Sequence, residues 1–356
     1  MINVRHGTHA DFAAWDQFVT AHPERSPYHL SAWCQAVAGA YRHQCIFLLA
    51  ESDGTLAGIL PLVKMGLPLL PKQYCSLPFC DLGGILATSG EARDALLKAA
   101  FDLAGSASID LRNSAEHHSN PDQFGELEGQ KVRMLLPLPA SADDLMANFK
   151  AKLRSQVRKA EKNGMSFRFA NTGHGGEQDL AAFYEVMQIN MRQLGSPVHS
   201  QRWYQQILHH YGERARLGLV EYEGKIVGGA VILLCGHSVT VPWASTNPEF
   251  NRLAPNMLLY WGILGFAADN GFSYFDFGRS TVGEGTYRFK KQWGAKPVPL
   301  DWTLYRAGQL APPSSVTASA GSKNNGLRDK IAQIWSQLPP GLTNTIGPLL
   351  RRYISL

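Results

Sequence analysis

The sequence predicts a mixed α+β protein in which one α+β unit occurs twice in tandem. Two apolar hairpins closed by an acidic residue and a glycine, at Asp53-Gly54 and Glu223-Gly224, place their glycines 170 residues apart. Each hairpin is followed by a helical pattern and then by a short apolar strand holding an aspartate, Asp110 in the first half and Asp276 in the second, 166 residues apart. Matching order at a nearly constant offset marks an internal repeat.

Taken in order, the first half opens with helical patterns over Asp11–Thr20 and Ser31–Ala40. The hairpin strands are Ile46–Ala50 and Leu56–Val63. A Pro-rich connection runs to Gly83-Gly84, and a helix from Glu91 to about Leu103 leads into the strand Ile109–Leu111. Between the halves, Ser141 followed three residues on by Asp144 gives a capping-box-like helix start. Leu145, Phe149, Leu153 and Val157 then repeat at helical spacing beside a second row of Lys150, Arg154, Arg158 and Lys162, and Asn163-Gly164 ends the pattern. One row is expected to be buried and the other to form a positive rail. A solvated face is the plain reading of such a rail; four like charges stacked at i, i+4 spacing also fit an anionic partner such as RNA.

The second half contributes a helix with Leu180, Phe183, Tyr184, Met187, Met191 and Leu194 on its inner face, then a helix from Ser200 with Trp203, Ile207 and Tyr211. The hairpin Leu217–Tyr222/Ile226–Leu234 follows, then the strand Val239–Ala244 and a helix from Pro255 ending before Gly271. The strand Tyr274–Phe277 is expected to give way to a Gly-rich loop carrying Arg279 and Ser280, and a further strand covers Trp302–Tyr305. Residues 311–326, APPSSVTASAGSKNNG, have linker composition. A short amphipathic helix with Leu327, Ile331, Trp335 and Leu338 follows, and then GPLLRRYISL; this tail is expected to fold back on the first unit rather than to touch a membrane surface.

Composition narrows the chemistry. With 45% hydrophobic and 18% charged residues the 356-residue chain reads as globular, and a net charge of +5 suits a phosphate-bearing partner without requiring one. Five scattered cysteines lack a CxxC pair, which disfavours a disulfide framework or a zinc site. The start has no signal-peptide apolar region and no run approaches the ~20 apolar residues of a membrane span, so a cytoplasmic location without a transmembrane segment is expected. GxSxG, HExxH, Walker A and a GxGxxG after a strand are all missing, which removes the usual marks of hydrolases, metalloproteases, ATPases and dehydrogenases. Group transfer by positioning remains, and hairpin, helix, strand is a layout of acyltransferase domains.

Three stretches carry a resemblance: KAKLRSQVRKAEKNG (Lys150–Gly164), NMRQLGSPVHSQRWY (Asn190–Tyr204) and YFDFGRSTVGEGTYRFKKQWG (Tyr274–Gly294). They resemble the FemAB-type transferases, in particular those associated with the exosortase/PEP-CTERM exopolysaccharide system. The resemblance implies a tandem GNAT-like (acyl-CoA N-acyltransferase) fold that transfers an acyl or aminoacyl group to an amine of a nucleotide- or lipid-linked glycan precursor. It implies no tightly bound cofactor, a donor that is aminoacyl-tRNA or acyl-CoA, and peripheral association with the inner membrane. By the same resemblance Lys290, in RFKKQWG, corresponds to the family's FK lysine and to an oxyanion stabiliser, a reading set ahead of a surface charge. Arg192 and Arg279 would hold phosphate or carboxylate groups. Ser280, Tyr287 and Trp243 would line the substrate pocket, although core packing equally explains the aromatics. Asp276 is either a general base or a strand-end anchor for the following loop. Lys150, Arg154, Arg158 and Lys162 would bind tRNA or another anion, and no residue is assigned to a metal.

The segment Asn251–Asn256, where acyl-CoA enzymes carry a Gly-rich pyrophosphate loop, has no glycine, and Pro255 removes an amide donor. In the first half Glu91 puts an acid at the equivalent place. The expected organisation is therefore a non-catalytic GNAT-like domain over residues 1–140, a basic linking helix over 141–164, a catalytic GNAT-like domain over 165–310, a flexible linker over 311–326 and a helical tail over 327–356. Two rival functions are an acyl-CoA-dependent N-acetyltransferase acting on an amino sugar and a non-catalytic scaffold or RNA-binding protein.

Overall fold

In the computed structural model, which describes residues 1–66, 73–114, 129–171, 174–310 and 325–355, the chain divides into two units. The first comprises Met1–Gln130, Pro299–Asn325 and Arg351–Leu356, and the second Lys131–Val298 and Gly326–Leu350. The expected linker at 311–326 lies almost wholly outside the described residues.

The first unit opens with β1 (Ile2–His6), α1 (Phe12–Ala21), α2 (Ser31–Tyr41), β2 (Gln44–Ser52) and β3 (Thr55–Met65). It continues through β4 (Gln73–Cys75), β5 (Leu86–Ala87), α3 (Gly90–Ala104) and β6 (Ser108–Ser114). The second comprises β7 (Lys131–Pro137), α4 (Ala142–Asn148), α5 (Ala151–Lys162), β8 (Met165–Phe169), α6 (His174–Gln193), α7 (Gln201–Tyr211), β9 (Ala215–Tyr222) and β10 (Lys225–Cys235). After these come β11 (Ser238–Thr246), α8 (Pro255–Asp269), β12 (Tyr274–Thr281) and α9 (Gly285–Gln292). Beyond them lie β13 (Lys296–Arg306), β14 (Gln309–Leu310), α10 (Asn325–Gln337) and α11 (Pro340–Arg351).

The repeat is visible in the sheets. Strand order in the first unit is β1-β2-β3-β4-β6-β13, and in the second β8-β9-β10-β11-β12-β7. Each sheet is antiparallel except for one central parallel pair, β4/β6 and β11/β12. The hairpins turn where expected, with Asp53 and Glu223 at φ 50° and 51° ahead of Gly54 and Gly224 at 78° and 75°.

The last strand of each sheet is exchanged. β7 follows β6 in the chain yet pairs with β12, and β13 follows β12 yet pairs with β6, Leu300–Arg306 running against Ser108–Ser114. Boundaries drawn by sequence order at 140 and 165 separate the halves along the chain; strand pairing assigns β7 and β13 crosswise.

The expected single basic helix is two helices. Phe149 and Lys150 take extended ψ of 146°, breaking the chain between α4 and α5. The cause is packing: the Phe149 ring is held edge-on to Trp261 of α8 at 6.2 Å and to Trp293 at 5.4 Å. Arg154 closes the break by donating to the Phe149 carbonyl at 2.5 Å. The inner row is nonetheless buried throughout, from Leu145 through Phe149 and Leu153 to Val157.

α8 is nearly apolar all round and lies against β8–β11, with ten of its fifteen residues buried. No helix among the described residues is long and apolar enough to cross a membrane.

Candidate active site

The parallel pair β11/β12 is joined over only three residue pairs, Ser238↔Tyr274 to Thr240↔Asp276. Both strands continue beyond it, β11 to Thr246 against β10 and β12 to Thr281 against β7. The sheet therefore splits past Thr240 and Asp276, and the free edges of the strands form the walls of a wedge.

β12 extends further than the sequence suggests. Arg279 and Ser280, expected on a loop, are strand residues paired with Arg133 and Val132. The reason is β7, which the sequence reading left unassigned although Val132, Met134 and Leu136 alternate as buried positions on it. The β12/β7 register shifts between Asp276 and Arg279, with Gly278 at φ 72° inside the bulge.

Asp276 is 4% exposed. One carboxylate oxygen accepts from Arg133 Nη2 at 2.8 Å and Nε at 3.1 Å, and the other accepts from the Gly278 N–H at 2.8 Å. Both oxygens are thus engaged in holding the bulge, the geometry of an anchor. If Asp276 is that anchor, a double-mutant cycle combining Asp276→Ala with Arg133→Met returns a coupling of about 1–3 kcal/mol in urea unfolding. Additive losses would instead favour the general-base role.

Lys290, on α9, is buried at 8% exposure and donates to the carbonyls of Gly278 at 3.2 Å and Arg279 at 2.7 Å. The bulge and the lysine form one construction: Asp276 holds the Gly278 amide while Lys290 holds the two carbonyls beyond it. Ser280 is 4% exposed, and its Oγ has no hydrogen-bond partner among the described residues. A buried hydroxyl left without a partner costs about 1–3 kcal/mol. Lys131 of β7 donates to Thr281 Oγ1 next to it. Arg133 and Lys131 are the contributors the sequence reading missed; the alternation of β7 was the available signal.

The other expected site residues are distributed. Trp243, on the free part of β11, stands in an aromatic cluster with Trp203 at 5.8 Å, Tyr204 at 5.4 Å and His199 at 6.2 Å. Tyr287 is half-buried, with Lys291 Nζ 5.6 Å from its ring centre. Arg192 sits at the end of α6 and donates through Nε to the Leu338 carbonyl at 2.8 Å. On α5, Arg154, Ser155, Arg158, Lys159 and Lys162 line a groove of about 460 Å³. Lys150 is the exposed residue just before α5. A larger cavity of about 930 Å³ opens between α6, α7 and the β8/β9 edge; no expected site residue lines it.

The first unit has the same wedge, filled. β4 and β6 pair over Gln73–Cys75 and Ser108–Asp110, and by this register Arg112 stands where the second unit has Gly278. Its guanidinium, fully buried, bonds Asp110 at 3.0 Å and the carbonyls of Leu77, Cys80 and Ser355 at 2.9–3.1 Å. Trp302 of β13 lies 5.3 Å from it.

Residues 147–291 match the family model described as Acetyltransferase (GNAT) domain. Over 379 aligned residues the chain is 20% identical to the lipid II:glycine glycyltransferase of Staphylococcus aureus, covering 78% of this chain and 87% of the relative. Among solved structures, FemX superposes with a TM-score of 0.65 at 18% identity, covering 83% of this chain and 95% of FemX. A tandem GNAT protein of the clavulanic acid biosynthesis pathway gives a TM-score of 0.51 at 12% identity, with 87% and 99% covered. With two units of matching strand order and the GNAT match over the second, the chain has a tandem GNAT fold and is similar to FemX and to a lipid II:glycine glycyltransferase.

Proposed function

We propose that the protein is an acyltransferase that moves an aminoacyl group from a charged tRNA to an amine of a lipid- or nucleotide-linked cell-envelope precursor, on the cytoplasmic side of the membrane. The observation that carries this reading is the open wedge of the second unit, with Lys290 pinned beside it and the Ser280 hydroxyl unpartnered, in a chain similar to a lipid II:glycine glycyltransferase. The acceptor amine attacks the ester carbonyl carbon, and the C–N bond forms as the carbonyl oxygen becomes an oxyanion. The C–O bond to the ribose then breaks, and the proton lost by the amine ends on the released ribose hydroxyl. Lys290 places a positive charge where the oxyanion develops, the role expected to contribute most to rate in such a step. Ser280, Arg279 and Tyr287 belong to the substrate side of the wedge. Arg112 fills the equivalent wedge in the first unit, and Glu91 in the first turn of α3 opposes an anion there, so the first unit is read as non-catalytic.

Local geometry favours tRNA over acyl-CoA. At the start of α8 Pro255 has no N–H, the Ala254 N–H bonds Asn251 O at 3.0 Å, and the Met257 N–H bonds Ala254 O at 3.0 Å. These amides are turned inward and do not form a pyrophosphate cradle. Asn163, at the end of α5, donates to Leu253 O at 2.9 Å, which ties the cationic groove of α5 to this same loop. A row of cations suits a long phosphate backbone better than a compact diphosphate.

The direct test incubates the protein with a lipid-linked muropeptide and either charged tRNA or acyl-CoA, reading product mass. An aminoacyl mass increment with tRNA alone supports the proposal, and product formed only from acyl-CoA overturns the donor assignment. For the groove, Arg158→Ala with Lys162→Ala is expected to flatten the log K against log salt slope for tRNA by about 1–2 units. An unchanged slope would remove α5 from the contact.

A further inference from the structure

The first unit holds a short piece of its own chain as a site holds a ligand. Arg351–Leu356 belongs to that unit, whereas Gly326–Leu350 belongs to the second. From Arg352 to Ser355 the segment joins no strand and folds as a turn, the Ile354 N–H bonding the Arg351 carbonyl at 3.1 Å. The Arg352 carbonyl accepts from His43 Nε2 at 2.8 Å. The Ser355 carbonyl accepts from the Phe79 N–H at 2.6 Å and from Arg112 Nη1 at 3.0 Å. Among side chains, the Arg352 guanidinium donates to the Tyr41 carbonyl, the Arg351 guanidinium lies 5.7 Å from the Phe79 ring centre, and the Tyr353 ring lies 6.3 Å from that of His43.

The receiving groups are buried and fixed by other bonds. The Arg112 side chain is 0% exposed and also bonds the carbonyls of Leu77 and Cys80, on either side of Phe79, at 3.1 and 2.9 Å. The Pro78 carbonyl accepts from the indole of the fully buried Trp33 at 3.0 Å. Phe79 is itself buried, at φ 68°, a left-handed conformation that a phenylalanine keeps only where its surroundings enforce it; such positions gather at ligand clamps. An amide and a guanidinium thus converge on one carbonyl oxygen at the mouth of the wedge. The segment is less well matched. Its described residues are half-buried apart from Ile354, which is 41% exposed, and Arg352 Nε is buried without a hydrogen-bond partner among the described residues. A charged donor left unmatched weakens the seating.

We propose that the mouth of the first unit's wedge is a recognition site for a short basic-aromatic peptide, and that Arg351–Ser355 is its exchangeable intramolecular occupant. The site selects a turn with main-chain carbonyls three residues apart, a basic side chain for the Tyr41 carbonyl and an aromatic one beside His43. This gives a binding role to the unit read as non-catalytic, and it does not depend on the transfer chemistry of the second.

The test adds a fluorescent peptide of the sequence Arg351–Leu356 to the full chain and reads anisotropy. The tethered segment competes at an effective concentration on the order of millimolar, so the parent protein is expected to bind the peptide weakly. Arg352→Ala with Tyr353→Ala in the full chain weakens the occupant and is expected to tighten peptide binding by about tenfold or more. A peptide of the same composition in scrambled order is expected not to bind the variant. Hydrogen exchange of the unmodified protein decides independently, whether or not the variant folds. The Phe79 amide, bonded to the segment, is expected to exchange about tenfold or more faster than the Ser76 amide, bonded to the Asp110 carbonyl at 2.8 Å. Equal peptide binding by parent and variant, or equal binding of the scrambled peptide, overturns the proposal. Phe79 exchanging no faster than Ser76 overturns it as well, because the segment would then open only with the unit itself.

Discussion

Lys290→Ala is expected to lower turnover by about 100- to 1,000-fold, the range seen when one preorganised oxyanion donor is removed. Lys290 is held by the Gly278 and Arg279 carbonyls at 3.2 and 2.7 Å, so its charge is in place before substrate arrives. The substitution has a structural consequence too: two carbonyls lose a charged donor, at about 1–3 kcal/mol. Rate and stability must therefore be read separately. Turnover per folded molecule, with the folded fraction measured by circular dichroism at the assay temperature, isolates the chemical role. Lys290→Met, which keeps the side chain's length, is expected to match alanine in rate while unfolding less readily. A variant that loses stability but keeps turnover per folded molecule would leave Lys290 as a brace for the bulge and nothing more.

Arg112→Leu is expected to destabilise the first unit by about 3–5 kcal/mol, measured by urea unfolding. The guanidinium is 0% exposed and its partner Asp110 carboxylate is 18% exposed. Burial pushes the neighbouring Cys75 and Cys80 thiols up, keeping them neutral, so Asp110 is the group that balances the charge. Removing Arg112 leaves that carboxylate partly buried and strips the donor from the carbonyls of Leu77, Cys80 and Ser355. The double variant Arg112→Leu/Asp110→Leu should recover part of the loss, because it removes the uncompensated charge while the carbonyls stay unsatisfied. A loss below about 1 kcal/mol for the single variant would show that the wedge closes without the arginine.

Much of the fold was legible because it is local. Both hairpins follow from turn residues that accept positive φ, and the helices follow from apolar spacing and caps such as Ser141, whose Oγ accepts from the Asp144 N–H at 3.1 Å. The repeat was legible from the offset of those elements. The basic row on α5 was also readable, although the helix carrying it begins at Ala151, after the break forced by Phe149. That break depends on where Trp261 and Trp293 stand, which no local pattern encodes.

The site was legible in its residues and not in its construction. Asp276, Arg279, Ser280 and Lys290 are brought together along β12 and α9, whereas Arg192 and Trp243 meet other partners, the Leu338 carbonyl and an aromatic cluster. Calling 279–280 a loop followed from the glycine-rich composition. It failed because a strand is defined by its neighbour, and the β7 neighbours, Arg133 and Val132, stand 146 and 148 residues earlier in the chain.

By itself the sequence determined two α+β units, their turns and helices, a basic row between them, and a lysine- and glycine-bearing segment after the second aspartate strand. These are properties of short windows, where propensity, capping and periodicity act over a few residues. Only the tertiary structure decided that β7 and β13 are exchanged between sheets and that Arg112 fills one wedge while Gly278 leaves the other open. It also decided that Arg133 holds Asp276 and that α11 turns its leucines outward. Each of these depends on which distant groups meet, because burying a charge or a strand edge is tolerable only when its partner arrives from elsewhere in the chain.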